Sequence, residues 1–316
     1  MEIADPKNHN TPFFSAIITC YFEEKSIIEF HTRFSKALNS LDKSYEIIFV
    51  NDGSADGTFE LLKEIFNRDK KVTRVINFFK NSGQGAAITA GINHAKGKHF
   101  ILMDSDLQLA PEELPLLVNE FEKGCDIVSG YRKDRKDSFF RIVPSVLANY
   151  IMRKVSKSDL KDFGCTFKIY HGELIRAFNL GPLKLFNPVY IIEQAQKCRE
   201  VPVSHFPRKY GKSGWTFNKL TEYNMENFMG MFSKAFQVIG FWSILIALLL
   251  VLRTIVDYFY SFKILSKIYN GLLLIAIMLS MFITLKMLCL IGEYVVRIFS
   301  VAQKNPKYII KEILER

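Results

Sequence analysis

Short runs of apolar residues alternate with longer amphipathic stretches along the first 130 residues. The apolar runs have the length and the β-branched or aromatic content of buried strands, at residues 14–19, 45–50, 72–77, 100–103 and 126–130. Helical periodicity predicts helices between them, at about residues 24–38, 58–66, 86–94 and 111–124. Strands and helices that alternate in this way predict an α/β fold with a mostly parallel sheet and helices on both faces.

Acidic side chains stand where two of the predicted strands end. Asp104 and Asp106 follow the fourth strand, with the amide of Gln108 two residues further on, and Asp52 lies in a glycine-rich turn after the second strand. Right-handed crossovers would bring these ends to one edge of the sheet, where ligands bind in parallel α/β folds. Carboxylate and amide oxygens suit Mg²⁺ or Mn²⁺, which commonly clamp substrate phosphates. A nucleotide diphosphate is therefore the expected ligand; the alternative is that the aspartates only cap the next helices.

The positive charge of the chain is concentrated in one sector. The formal net charge is +10, and residues 121–220 hold 19 Lys and Arg against nine Asp and Glu, so the rest of the chain is balanced. Such a sector favours an anionic partner, which is a phosphorylated ligand, an anionic membrane or nucleic acid. Within it, the run Arg-Lys-Tyr-Gly-Lys-Ser at 208–213 combines cations, a glycine and a hydroxyl, a set that suits phosphate. A surface loop without a ligand is the alternative.

Several common classes of site are not indicated by the sequence. The five cysteines have no Cys-x-x-Cys spacing, so we expect neither a disulfide framework nor a zinc site, and a reducing compartment suits them. No Gly-x-x-x-x-Gly-Lys-Ser/Thr run occurs, and no Gly-x-Gly-x-x-Gly follows the first strand, so we do not expect a dinucleotide cofactor. The N-terminus lacks the basic start and apolar core of a signal peptide.

Two long apolar segments dominate the C-terminal third. Residues 235–252 and 268–285 contain no charged side chain, and a bilayer-spanning helix takes roughly 20 residues. We predict transmembrane helices at 235–258 and 268–292, joined by a loop at 259–267; two buried core helices are the alternative. Basic residues in the preceding domain and in the tail at 293–316 place both termini on the cytoplasmic side.

The remaining segments complete the predicted organisation. Residues 1–12 form a polar tail, residues 13–215 a cytoplasmic domain, and residues 216–234 an interfacial helical linker. Apolar residues at helical spacing with basic ends predict a further helix at 139–154, which lies either on the bilayer surface or against the core.

Six short motifs occur in an order that is typical of one enzyme family. They are Val-Asn-Asp-Gly-Ser (50–54), Asn-Ser-Gly-Gln (81–84), Asp-Ser-Asp-Leu-Gln (104–108), Asp-Phe-Gly-Cys (162–165), the 208–213 run, and Leu-Ile-Gly-Glu-Tyr-Val-Val-Arg (290–297). Five of the motifs precede the two apolar spans, and the sixth begins at the end of the second span. In this order they resemble the family-two glycosyltransferases that load a sugar onto a polyprenyl phosphate. The run at 135–141 is most similar to the aminoarabinose-transferase branch. The sequence departs from the family where Thr19-Cys-Tyr-Phe-Glu23 replaces the usual Pro-x-Tyr-Asn-Glu, and where Lys80 replaces an arginine.

The resemblance implies a GT-A fold and an inverting transfer of a sugar from a nucleotide-diphosphate sugar, with UDP favoured, to undecaprenyl phosphate. It also implies Mg²⁺ or Mn²⁺ as cofactor, a multi-pass position in the bacterial inner membrane with the 259–267 loop in the periplasm, and homo-oligomers formed through the spans. The residues implied by position are Glu23, Asp52, Asn81 and Asp104 for the donor, Asp106 and Gln108 for the metal, Arg132, Arg135, Arg141, Arg208, Lys212 and Ser213 for donor or acceptor phosphates, and Asp162 with Asp106 for catalysis.

Asp162 matches the residue that is often assigned as general base in the family. A phosphate monoester has its second pKa near about 6, so the acceptor is already mostly ionised at neutral pH and has no proton to lose before it attacks. We therefore expect Asp162 to orient the sugar or the acceptor. Most of the rate should come from positioning two anions and neutralising the leaving diphosphate.

Three other functions fit the sequence less well. A processive polysaccharide synthase would carry a Gln-x-x-Arg-Trp motif, which the chain lacks. A non-catalytic nucleotide- or lipid-binding membrane protein would have little reason to keep Asp104, Asp106 and Gln108. A nucleic-acid binder would explain the basic sector but not the two apolar spans.

Overall fold

The computed structural model describes residues 11–133, 153, 158–210, 249, 251–252, 276–289, 291–292, 295, 298 and 305–316. The chain divides into two compact units. The first combines Met1–Thr216 with Pro306–Arg316, and the second is Phe217–Asn305. The residues discussed as a site below all belong to the first unit.

The N-terminal half of the first unit follows the predicted alternation of strands and helices. Its elements are β1 (Phe14–Cys20), α1 (Ile27–Asn39), β2 (Tyr45–Asn51), α2 (Thr58–Arg68), β3 (Val72–Phe78), α3 (Gln84–His94), β4 (His99–Asp104), α4 (Leu114–Phe121, after a 3₁₀ turn at Pro111–Glu113) and β5 (Ile127–Arg132). The five predicted strands and four predicted helices are thus confirmed. Helix α1 begins three residues later than predicted, because the chain from Glu23 first makes a turn in which Ser26 and Ile27 donate to the Glu23 carbonyl.

The second half adds elements that the sequence pattern did not predict. They are β6 (Lys168–Tyr170), α5 (Gly172–Arg176), α6 (Pro188–Gln194), β7 (Cys198–Val203) and β8 (Ile310–Glu315). The eight strands form one sheet in the order β7-β5-β6-β4-β1-β2-β3-β8. Strands β1 to β4 run parallel to one another, as predicted, but β6 runs antiparallel to β4 and β5, and β8 runs antiparallel to β3. Strand β5 also pairs parallel with β7, so the sheet is mixed, with four parallel and three antiparallel pairings among the described strands.

Each face of the sheet is covered by its own hydrophobic core, because successive side chains of a strand point to opposite faces. Ala16 and Ile18 of β1 pack with apolar residues of α1, α2 and α4 on one face. Ile17 packs with residues of α3 and α6 on the other. Helices on both faces were predicted, and this part of the prediction is confirmed.

Parallel pairing brings the carboxyl ends of three strands to the same level. In the register of the sheet, Thr19 at the end of β1 lies opposite Asp104 at the end of β4, and Cys20 lies opposite Asn51 at the end of β2. The acidic residues that follow β2 and β4 therefore share one edge, as the crossover rule predicted.

Strand β8 lies within residues 293–316, which are predicted above as a tail, and it belongs to this sheet. Glu315 Oε1 forms an ion pair with Arg74 Nη2 of β3 at 2.5 Å. Arg74 Nη1 in turn lies 3.4 Å from Oε2 of the buried Glu46 of β2. The Tyr308 ring stacks on Phe78 with centroids 4.9 Å apart. The chain thus leaves the first unit after Thr216 and returns to it at Pro306.

Residues 276–289 are helical, and most of their apolar side chains are exposed, Met278 and Leu288 by more than 60%. Within the part of the chain that the structure describes, no helix combines the length and the apolarity needed to cross a membrane. The predicted span at 235–258 lies almost wholly outside the described residues, as do the linker at 216–234 and the helix at 139–154, and the span at 268–292 is described only in part.

Candidate functional site

Asp52 organises the turn that leads into α3. Its carboxylate accepts hydrogen bonds from the Asn81 side chain at 2.8 Å and from the backbone N–H groups of Ser82 at 2.7 Å and Gly83 at 2.9 Å. The neighbouring Gly53 has φ +67°, and a Cβ atom there would lie 2.3 Å from the Lys80 carbonyl carbon, so only glycine fits. Asp52 and Asn81, both assigned to the donor by the resemblance, are thus in contact, and the hydrogen bonds that Asp52 accepts shape the loop. The contact of Asp52 with a nucleoside stays a prediction.

Asp104 lies at the end of β4 and is held from two sides. Its Oδ1 accepts from Thr19 Oγ1 at 2.7 Å and from Gln84 Nε2 at 2.6 Å. Burial, followed by the nearby charge of Asp106, raises the pKa of Asp104, while hydrogen bonds from Thr19, Thr166 and Gln84 oppose the rise. Sequence reasoning assigned no role to these three residues. Gln84 stood in a recognised motif and Thr19 in a departure from one, so both positions carried a signal, whereas Thr166 carried none.

Asp106 and Glu23 are joined by a cation from far along the chain. Arg208 Nη2 donates to Asp106 Oδ2 at 2.7 Å, and Arg208 Nη1 lies 3.9 Å from Glu23 Oε1. The Ser26 hydroxyl donates to the other Glu23 oxygen. Burial raises the pKa of Glu23 to about 7, with Asp106 adding to the rise and Ser26 and Arg208 opposing it. The predicted phosphate-binding Arg208 therefore stands beside the predicted metal ligand Asp106.

Gln108 belongs to a tight turn that continues from Asp106. Its backbone N–H donates to Asp106 Oδ1 at 3.1 Å, its carbonyl accepts from Phe206 N–H at 2.8 Å, and Leu107 between them has φ +58°. The second bond brings the start of the Arg208 loop to this edge. No three His, Cys, Asp or Glu side chains form a metal-binding group among the described residues. The oxygen donors on hand are the carboxylate of Asp106 and the half-buried side chain of Gln108, with Asp104 adjacent.

Asp162 forms a two-pronged ion pair with Arg132 at the end of β5. Arg132 Nε donates to Oδ2 at 2.7 Å and Nη2 donates to Oδ1 at 2.8 Å, and the Arg132 backbone N–H lies 3.3 Å from Oδ2. The Asp162 side chain is 8% exposed and that of Arg132 16%. A carboxylate whose two oxygens both accept from a guanidinium is firmly oriented. Thr166, four residues after Asp162, bonds to Asp104 and so connects this pair to the β4 aspartates.

The structure therefore gathers most of the predicted residues at one edge of the sheet. Arg208 contacts both Glu23 and Asp106, and Asp104 lies close enough to Asp106 for their charges to interact. Asp52 and Asn81 are connected to Asp104 through the adjoining residues Gly83 and Gln84. Arg135, Arg141, Lys212 and Ser213 lie outside the described residues. Carboxylates that can hold a divalent cation and arginines that can face phosphate stand side by side, which suits a ligand with a diphosphate.

The chain is similar to a known protein family, to named relatives and to solved structures. The family model described as Glycosyl transferase family 2 matches residues 15–180. The chain is 31% identical over 313 residues to the undecaprenyl-phosphate 4-deoxy-4-formamido-L-arabinose transferase of Proteus mirabilis (strain HI4320), covering 95% of this chain and 93% of that protein. It is 30% identical over 315 residues to the protein of the same name from Edwardsiella ictaluri (strain 93-146), covering 96% and 94%. Among solved structures, glucosyl-3-phosphoglycerate synthase from Mycobacterium tuberculosis in complex with Mn²⁺ and uridine-diphosphate-glucose aligns with a TM-score of 0.49 and 16% identity, over 70% of this chain and 78% of that one.

Proposed function

Because the chain belongs to glycosyl transferase family 2, we propose that it transfers one sugar from a nucleotide-diphosphate sugar to undecaprenyl phosphate at the cytoplasmic face of a bacterial inner membrane. The observation that carries the proposal is the cluster of Asp104, Asp106 and Arg208, in a chain that matches undecaprenyl-phosphate sugar transferases over nearly its whole length. The names of these relatives make a 4-deoxy-4-formamido-L-arabinose donor the first to test, and UDP is the nucleotide we favour.

The carboxylate edge supplies the donor site. A divalent cation fits the oxygen donors there, since Mg²⁺ and Mn²⁺ take one or two protein carboxylates and complete their shells with substrate phosphates and water. Asp106 and Gln108 would hold it, and Asp104 would contact the nucleotide. When bound, the cation neutralises charge that develops on the leaving diphosphate. The proximity of Asp104 and Asp106, which helps to raise the pKa of Asp104, is a repulsion that a cation would relieve.

The acceptor brings its own nucleophile. An oxygen of the lipid phosphate attacks the anomeric carbon, the bond from that carbon to the diphosphate breaks, and the nucleoside diphosphate leaves with the electron pair. No proton moves, because the phosphate is mostly dianionic at neutral pH. Arg208 and Arg132 would face the phosphates, and Asp162 would fix the direction of Arg132 through the two bonds already formed. Asp162 then acts by orientation, and the transfer requires no general base.

The topology of the sheet limits which membrane arrangements are possible. Strand β8 pairs with β3 in the same sheet as the N-terminal strands, so any crossings between Thr216 and Pro306 must be even in number. Two spans at 235–258 and 268–292 satisfy that condition and leave the first unit on one side, with the loop at 259–267 on the other. The exposed apolar side chains of residues 276–289 suit a lipid environment.

The proposal is tested by transfer of label from a panel of nucleotide sugars to undecaprenyl phosphate, with purified full-length protein in detergent. The assay compares Mg²⁺, Mn²⁺ and chelator, and compares Asp106→Ala with Glu120→Ala, whose half-buried carboxylate pairs with the nearby Lys123. We expect metal-dependent label in the lipid phase from one donor, abolished by Asp106→Ala and retained by Glu120→Ala. Binding of nucleotide without transfer from any donor would favour a non-catalytic protein instead.

A further inference from the structure

Lys168 is a charged side chain in the interior of the sheet that the proposed reaction does not use. It lies on the short strand β6, is 3% exposed, and donates from Nζ to the backbone carbonyl of Phe163 at 3.1 Å and to that of Cys165. Burial lowers the pKa of Lys168. A buried ammonium is costly unless hydrogen bonds compensate it, and both of these bonds go to one loop.

A carboxylate binds the same loop through its backbone N–H groups. Glu200 Oε1, on β7, accepts from the backbone N–H of Lys161 at 2.7 Å and from that of Asp162 at 2.9 Å. The irregular segment 161–165 therefore has its N–H groups bound by an acid and its carbonyl groups bound by a cation, from two strands of the sheet. Asp162, Phe163 and Cys165 are buried, and buried backbone groups outside regular structure need such partners, which side chains supply here.

This segment carries Asp162 and fits closely around Arg132. A Cβ atom at Gly164 would lie 3.3 Å from Arg132 Nη2, so the loop passes directly beside the guanidinium. Arg132 donates two hydrogen bonds to Asp162, at 2.7 and 2.8 Å, and these fix the rotamers of both side chains. The direction of the pair therefore depends on the position of the loop backbone. A shift of the loop would turn the pair away from its present direction.

We propose that Lys168 and Glu200 are positioning residues that clamp the loop at 161–165, so that Asp162 and Arg132 face the reacting phosphates. The inference rests on the proposed function for its catalytic part, but the clamp itself is a statement about the loop and can be measured without the reaction. It assigns a role in the site to a lysine that belongs to none of the sequence motifs. It also explains why this charge is directed at a loop rather than at a strand or at solvent.

The clamp is tested first by hydrogen–deuterium exchange of the full-length protein in detergent. In Lys168→Met we expect the amides of residues 161–165 to exchange about tenfold faster or more, while the amides of β1 and β2 keep their rates. The matched control is Lys197→Met, because Lys197 also donates from Nζ to a backbone carbonyl, that of Lys123 at 2.6 Å, but is exposed and lies before β7 at the opposite edge. Unchanged exchange at 161–165 in Lys168→Met would overturn the proposal.

Steady-state transfer kinetics then separate positioning from general stability. We expect Lys168→Met to lower kcat by about 10- to 100-fold with the KM for the donor nearly unchanged, and Lys168→Arg, which keeps the charge and the donors, to recover much of the loss. A proportional loss of donor affinity and of thermal stability, without recovery in Lys168→Arg, would show a merely structural role.

If Lys168→Met does not fold, Glu200→Ala at the half-buried partner gives the same two readouts, the exchange rates and the transfer kinetics. A parent protein that transfers no sugar contradicts the proposed function, whereas the exchange result still decides the clamp.

Discussion

The pair of Asp162 and Arg132 gives the sharpest test of how the site works. Asp162→Asn replaces one carboxylate oxygen by an amide nitrogen, which cannot accept a hydrogen bond from Arg132. The variant therefore keeps at most one of the bonds at 2.7 and 2.8 Å and loses the negative charge that both of them use.

The size of the effect follows from burial. Breaking a buried ion pair by removing one partner costs about 3–5 kcal/mol, and with side chains 8% and 16% exposed the lower end applies. If about 2.7 kcal/mol of this loss falls on the transition state, kcat drops about 100-fold. Because the acceptor phosphate loses its second proton near about pH 6, the acid limb of the rate profile should belong to the acceptor and persist in the variant.

The assay is the pH dependence of kcat between about pH 5.5 and pH 9 for the parent and for Asp162→Asn, with donor affinity measured separately. We expect a parallel downward shift at every pH and unchanged donor binding. Arg132→Gln should cause a similar loss, and the double variant should be little worse than either single one, with a coupling energy of about 2 kcal/mol. Disappearance of the acid limb in Asp162→Asn would refute orientation and establish Asp162 as the general base.

Three further predictions concern the stability of the first unit, read as thermal midpoints of the full-length protein. Phe22 has φ +58° and is 47% exposed, so Phe22→Asn, which restores the residue usual in the family, should raise the stability by about 1 kcal/mol and the midpoint by about 3 °C. A lower midpoint would contradict backbone strain at this turn. Burial raises the pKa of Glu23 from 4.5 to about 7, so the folded unit should lose about 3 kcal/mol of stability as the pH rises from below 4.5 through about 7. Glu23→Gln should remove this loss, and equal pH dependence of the midpoint in both proteins would contradict the prediction. Glu46 is 1% exposed and pairs with the buried Arg74, so Glu46→Gln should cost about 3–5 kcal/mol of stability. Glu315 pairs with the same arginine but is half-exposed, so Glu315→Gln should cost only about 1 kcal/mol. The reverse order of the two costs would contradict the packing of β8.

The central part of the fold could be predicted because its signals are local. The apolar runs of β1 to β5 and the carboxylates after β2 and β4 lie within a few residues of one another, and the crossover rule then fixes which edge they share. Strands β7 and β8 gave no such signal. The β7 segment contains Pro202 and exposed charges, as an edge strand can, and the residues of β8 place Ile310, Ile313 and Leu314 at helical spacing. Pairing with β3, Ile313 opposite Ile76, overrides that local pattern.

The candidate site likewise has a part that the sequence predicts and a part that it does not. The residue types at Asp104 and Asp106 indicate their chemistry directly, but the contact between Asp106 and Arg208 joins residues 102 positions apart. The tether of Thr166 to Asp104, 62 positions apart, and the clamp of Lys168 on the Asp162 loop likewise arise from the way β6 inserts antiparallel between β4 and β5. A three-residue strand has too little pattern to be seen in a sequence, so the contacts it creates could not be predicted.

The central claim is that one sugar moves from the donor to the lipid phosphate with release of a nucleoside diphosphate. The measurement that tests it most directly is the mass of the lipid product together with the nucleotide released per turnover. We predict undecaprenyl phosphate carrying one sugar residue, formed in equal amount with the nucleoside diphosphate, and no product in Asp106→Ala. Release of nucleoside monophosphate with a lipid diphosphate product, or a lipid that carries several sugars, would contradict the account.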